Sequence, residues 1–153
     1  MSLTPTEKLQ AAVILEPDFK GSSDDLPWTD AELEAAYAQV AINNARTAAY
    51  ERAKAKHAEA LKAVKDRYPQ TEIDGWSELV SDAKEGSGAC IEAYAASMGI
   101  PVADACQRIL TVREGYRAAY GDATGELTKT RDMIDQAQTV EDLEAINWPE
   151  TKP

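Results

Sequence analysis

The residue types that do chemistry are few in this sequence and lie far apart. The only histidine is His57, and position 61, one turn further along a helix, is Leu61 rather than a carboxylate. General acid–base work needs a perturbed group held in a cleft, and a lone histidine on a helix seam more often serves packing. Cys90 and Cys106 stand sixteen residues apart with no Cys-x-x-Cys spacing and no histidine beside them. A metal centre wants three or four ligands at recognisable spacing, so these thiols read as small hydrophobes. Whether they pair stays open at this stage. Asp24 and Asp25 are adjacent carboxylates in a linker, where water solvates them. Gly86-Ser87-Gly88-Ala89 is glycine-rich but lacks the lysine and the preceding strand of a phosphate loop. The expectation is a protein without catalytic residues, metal or cofactor.

Recognition chemistry is better represented. Trp28, Trp76 and Trp148 each fall at a junction between elements. They fill corners or anchor a partner, since tryptophan is enriched at binding hot spots. Trp148 is the strongest anchor candidate, because it lies in a proline-flanked tail. Tyr37, Tyr50, Tyr94, Tyr116 and Tyr120 read as core and interface rather than as a platform for stacked bases. The net charge of −11 argues against nucleic acid as a partner, because phosphate binding needs clustered Lys and Arg. Within residues 69–100, Glu72, Asp74, Glu78, Asp82, Glu85 and Glu92 face only Lys84. That acidity keeps a thin helical protein soluble, or it forms an acidic patch (Glu72, Asp74, Glu78, Asp82, Glu85) that docks on a basic surface. No segment approaches the ~20 apolar residues that span a bilayer. The first residues lack the basic and apolar regions of a signal peptide, which points to a cytoplasm and to reduced thiols.

The elements that must position these residues read as helices throughout. Residues 1–28 form an arm and linker. Thr4, Pro5 and Glu7 open a short helix with Leu9, Ala12 and Val13 on one face. Pro17, Gly21, Ser22, Ser23 and Pro27 then break it. The arm is expected to dock elsewhere, on another subunit or a partner, or to fray. Residues 29–68 contain no Pro or Gly and read as one helix, ~58 Å long at ~1.5 Å per residue. Thr29 and Glu32 form its capping box, with Trp28 as staple. Its ends carry acids first and bases last, matching the helix dipole.

Two rows at sevenfold spacing run along this rod: Leu33, Val40, Thr47, Lys54, Leu61, Tyr68 and Ala36, Asn43, Tyr50, His57, Val64. Such a seam suits a coiled coil or packing on the same chain, and polar residues in its middle would fix register. Residues 69–150 complete the chain. Pro69 ends the rod, Thr71 and Asp74 cap a second helix, and Gly86 to Gly88 breaks it. A third short helix turns Ile91, Tyr94, Ala95 and Met98 inward and stops at Gly99. A second long helix starts at Pro101 and reaches about Ala137, with a bend expected near Gly121. Gly115, Gly121 and Gly125 weaken it or let a neighbouring helix approach. A last helix, capped at Thr139 and Asp142, carries Val140, Leu143 and Ile146. The fold class expected is all-α and elongated, one long helix plus a cluster of short helices around a second long one.

The order of punctuation is also familiar. Tyr68-Pro69-Gln70-Thr71-Glu72 is followed by Gly75-Trp76-Ser77-Glu78, Gly99-Ile100-Pro101, the Ile109 to Tyr120 helix, the Arg131 to Ala137 turn and Ala145-Ile146-Asn147-Trp148-Pro149. Over about residues 65–150 this resembles the small helical tail fibre assembly or tail-associated proteins of tailed bacteriophages. The resemblance implies a non-catalytic protein that binds the tail fibre or its attachment region in the host cytoplasm, aids its assembly or caps it, and either leaves or stays in the virion tail. A permanent tail or baseplate subunit is the alternative. An acidic inhibitor that mimics nucleic acid ranks below both, because the rod carries six acids against seven bases. The expected partner-binding residues are Trp28, Leu33, Val40, Tyr50, Leu61, Val64 and Trp148. The rod is expected to mediate homo-oligomerisation by apolar burial.

Overall fold

The computed structural model describes residues 2–149 and is all-α, with no strand among them. Six helices follow one another: α1 (Pro5–Leu15), α2 (Asp30–Arg67), α3 (Gln70–Glu85), α4 (Ala89–Met98), α5 (Val102–Gln136) and α6 (Val140–Ala145). None of the described helices is long and apolar enough to cross a membrane. The chain divides into two compact units. Met1–Lys54 joins Lys129–Pro149, and Ala55–Thr128 forms the other. The two long helices, α2 and α5, each contribute residues to both.

In the first unit, two capping boxes start the helices. The Thr29 N–H and hydroxyl donate to the Glu32 carboxylate at 2.8 and 2.7 Å, and the Glu32 N–H returns a bond to the Thr29 hydroxyl at 3.3 Å. Thr4 and Glu7 repeat the arrangement before α1. The arm packs on α2 of its own chain. Ala11 of α1 forms a buried cluster with Leu33 and Ala36 of α2, closed over by Leu3, Leu26, Trp28 and Tyr37. The linker makes this return through turns rather than as a loose tether. The Phe19 N–H bonds the Glu16 carbonyl at 3.0 Å, and the Phe19 ring meets Trp28 edge-on at 5.2 Å. Alanine on the inner face of α1 lets the helices approach closely, and Lys8 pairs with Asp30 at 2.6 Å.

The rest of that unit joins α2 to the end of α5 and to α6. Buried positions here include Ala49, Ala53, Ile134, Ala137 and Leu143. The sevenfold rows placed Asn43, Thr47 and Lys54 in the seam, and all three are exposed. Two different stripes of α2 are buried, one under the arm at Leu33 and Ala36 and the other at Ala49 and Ala53. A single heptad cannot follow both. Two arginines of α2 supply what α5 and α6 lack, since neither helix has a base in its last turn. Arg46 donates to the Ala137 carbonyl at 3.0 Å and Arg52 to the Leu143 carbonyl at 3.0 Å. Both acceptors belong to helix C-termini, where carbonyls have no partner within the helix and cations are favoured by the dipole.

The second unit has its own core. Val80 and Ala83 of α3, Ile91 and Ala95 of α4, and Ala105, Cys106 and Ile109 of α5 are buried together. The α3–α4 corner depends on Asp82. Its backbone carbonyl accepts from the N–H of Gly86 and from that of Ser87, at 3.2 Å in the second case. Its carboxylate accepts from the N–H groups of Cys90 and Ile91 at 3.0 and 3.3 Å, capping α4 from another helix. Gly88 allows this approach, because a Cβ there would lie 2.2 Å from the Asp82 carboxyl carbon and its φ is +144°. α4 then ends at Gly99 in the left-handed region, with Ile100 N–H reaching the Ala95 carbonyl at 3.1 Å.

Other expectations for this unit change. α3 starts at Gln70 on the Pro69 carbonyl with no side-chain cap, instead of at Thr71 and Asp74. Met98 is 44% exposed rather than inward, because it sits in the last turn before Gly99. α5 runs unbroken past Gly121, and neither Gly121 nor Gly125 has any neighbour within 4 Å of a built Cβ.

Replacing Gly121 with Ala should therefore raise the unfolding free energy by about 1 kcal/mol. Replacing Gly88 with Ala should lower it by about 1–3 kcal/mol, through strained backbone and loss of the Asp82 approach. Urea unfolding followed by circular dichroism reads both signs.

Candidate functional site

The sequence-selected anchors do not converge. In the first unit Leu33 is 1% exposed and is taken up by the arm, so its side chain offers a partner nothing. Trp28 is half-buried against the same cluster. Val40 is half-buried, and the Tyr50 hydroxyl donates to the Asp135 carboxylate. That bond holds the Tyr50 phenol above its ordinary titration range. Trp148 is half-buried in the same unit. Leu61 and Val64 are half-buried in the second unit, as is His57, whose Nε2 is shielded from solvent. Of the acidic stretch, Glu72, Asp74, Glu78 and Glu85 are exposed, but Asp82 is turned inward onto α4 and leaves the patch.

What the second unit does bring together is a set of rings from α3, α5 and the link between α2 and α3. Pro69 biases the preceding residue away from helical geometry, so Tyr68 leaves the end of α2. Its ring meets Trp76 of α3 at 6.0 Å and Tyr116 of α5 at 5.7 Å, while Trp76 and Tyr116 are 5.7 Å apart. All three pairs are edge-to-face, with interplanar angles of 76° to 82°. Such pairs contribute about 0.5–1.5 kcal/mol beyond area burial. Tyr120, one turn along α5, extends the set at 6.2 Å from Tyr116. The Arg67 guanidinium carbon lies 5.6 Å from the Tyr68 ring centre. Gly115 makes room for Tyr68, because a Cβ there would stand 2.8 Å from the phenol oxygen.

The cluster has a root and an edge. Trp76 packs on the core of the unit. Tyr120 is 48% exposed and Val112 38% exposed, four residues to either side of Tyr116 on one stripe of α5. Rings and a guanidinium in this setting provide apolar area and positive charge for recognition. Tyr120 and Val112 thus hold apolar area in solvent beside a packed aromatic core. The signal for it in the sequence was Gly115 beside Tyr116, the Tyr116–Tyr120 spacing of four, and the Tyr68-Pro69 break. From the sequence alone, Tyr116 and Tyr120 read as core and interface, and partner binding falls on the α2 seam, Trp28 and Trp148 instead.

A second constellation lies at the α3–α4 corner. Cys90 Sγ is 3.5 Å from a Glu78 carboxylate oxygen and donates to it. That bond, with partial burial and the charges of Glu78 and Asp82, pushes the thiol above its ordinary range. Cys90 and Cys106 are both free. No group of three or more His, Cys, Asp or Glu side chains is placed to hold a metal ion among the described residues. Comparison of the chain with protein-family models, with curated proteins and with solved structures gives no match.

Because the thiolate is the nucleophile, Cys90 should alkylate slowly at pH 8. Its rate should rise at higher pH than that of an unhindered thiol. Glu78→Gln should move the profile toward lower pH, and buried Cys106 should stay unmodified in the folded protein. Mass spectrometry of an iodoacetamide time course reads both sites, and an unchanged profile in the Glu78 variant would contradict the assignment.

Proposed function

We propose that this protein is a non-catalytic helical module that docks on a partner protein through the Tyr68–Trp76–Tyr116–Tyr120 cluster. The partner class implied by the residue 65–150 resemblance is the tail fibre, or its attachment region, of a tailed bacteriophage. In that role the protein assists assembly of the fibre or caps it. The observation that carries the docking reading is a rigid aromatic set, rooted in the core by Trp76 and open to solvent at Tyr120. Aromatic anchors lose little conformational entropy on binding and dominate interface energies. The resemblance supports the partner class, and all four rings lie within the residues that carry it.

Self-association through α2 is a weaker component of this proposal. The arm already covers Leu33 and Ala36, which leaves Val40, Leu61 and Val64 half-buried. Light scattering on the purified protein, alone and mixed with the fibre protein encoded beside it, tests both parts. The expected result is a mixed complex. Tyr120→Ala should weaken it by roughly tenfold or more, about 1.4 kcal/mol, with helix content unchanged. A complex of wild-type affinity in that variant would exclude the cluster as the docking site.

A further inference from the structure

The docking reading leaves open what the partner presents to the rings. We propose that the aromatic cluster receives an acidic segment of the partner polypeptide, carboxylates interleaved with apolar or aromatic side chains. This rests on the docking reading and adds the chemistry of the partner to it.

The argument is one of charge placement. The protein carries a net charge of −11, yet the rings are flanked by bases. Lys65 lies one turn before Tyr68, Arg67 is over its ring, Arg113 lies one turn before Tyr116, and Arg117 adjoins it. Two nearby bases are already neutralised, Arg117 by Glu114 at 3.4 Å and Lys62 by Asp66 at 2.7 Å. Lys65, Arg67 and Arg113 have no carboxylate within ion-pair distance among the described residues. Arg113 is half-buried and makes no hydrogen bond there either. An unpaired base beside exposed apolar area attracts a carboxylate carried on an incoming chain. At three- and four-residue spacing from the rings the carboxylate is Glu72, one turn before Trp76, while Asp74, Glu78 and Asp122 are exposed on other stripes of α3 and α5. Unpaired bases thus outnumber acids on the ring-bearing stripes of a molecule that is acidic overall, and this contrast favours acidic partners.

Bases beside aromatic rings also occur where single-stranded nucleic acid binds. The geometry here favours protein. Tyr68, Trp76 and Tyr116 meet edge-to-face, so their faces are covered by one another rather than laid open for stacked bases. Three free bases on a chain of charge −11 are also too few to hold a polyphosphate backbone.

The test uses the full chain and a fluorescein-labelled random copolymer of glutamate and tyrosine, followed by anisotropy at low and high salt. Wild-type protein should bind it, more weakly as salt rises, and should bind polyglutamate without tyrosine at least tenfold more weakly. Lys65→Glu with Arg113→Glu should lose tenfold or more, and Arg113→Lys should keep most of the binding. Circular dichroism confirms that each variant is folded. If Tyr120→Ala abolishes binding while the double charge reversal leaves it unchanged, the docking site stands and the acidic partner is overturned. If the copolymer does not bind, the acidic partner is overturned and the docking reading rests on its own test; if it binds and neither change matters, it binds elsewhere and the inference falls. Tighter binding of a labelled oligothymidylate than of the copolymer would overturn the inference in favour of nucleic acid.

Discussion

Three helix ends in this protein are closed by side chains from other helices, and much of the packing follows from that. Asp82 of α3 caps the start of α4, while Arg46 and Arg52 of α2 close the ends of α5 and α6. These bonds matter because the apolar core is thin. Of the eighteen buried hydrophobic residues among those described, ten are alanine. A buried methylene contributes about 0.8 kcal/mol, so an alanine seam supplies area but little preference for one register over another. A buried carbonyl or N–H left unpaired costs about 1–3 kcal/mol, comparable to several such contacts, and it has direction. Each of these three ends therefore specifies which partner helix lies beside it.

The same logic places the aromatic site. Three short-range decisions converge in the second unit: Pro69 turns Tyr68 out of α2, Gly115 leaves the space its hydroxyl enters, and the Asp82 corner returns the chain so that α5 packs on α3. Rings of this size in an alanine-rich protein concentrate apolar area in one place. Their mutual edge-to-face packing fixes them before any partner arrives, which lowers the ordering cost of association.

Local signals were legible in the sequence. The Thr29–Glu32 and Thr4–Glu7 capping boxes, the Gly99 stop, the Gly86–Gly88 corner and the Thr139 cap all stand where their residue types placed them. Non-local choices were not. Ala49 and Ala53 carry no hydrophobic contrast in an alanine-rich helix, so larger residues at sevenfold spacing drew attention to Thr47 and Lys54 instead. The arm looked unattached because the contact between Ala11 and Leu33 depends on the turn around Phe19. Asp82 read as one of six similar acids, and only its geometry separates a capping carboxylate from a surface one. Gly115 and Gly121 are indistinguishable as letters, yet one faces a phenol and the other open space.

The central claim is that the ring cluster is the surface a partner covers. Hydroxyl-radical footprinting of the protein, free and mixed with the proposed partner, a tail fibre protein, tests it most directly, since tyrosine and tryptophan report their own exposure. The account predicts strong protection of Tyr116 and Tyr120 with little change at Trp28 and Trp148. Protection confined to Trp28 or Trp148, with Tyr120 oxidised as fast as in the free protein, would contradict it.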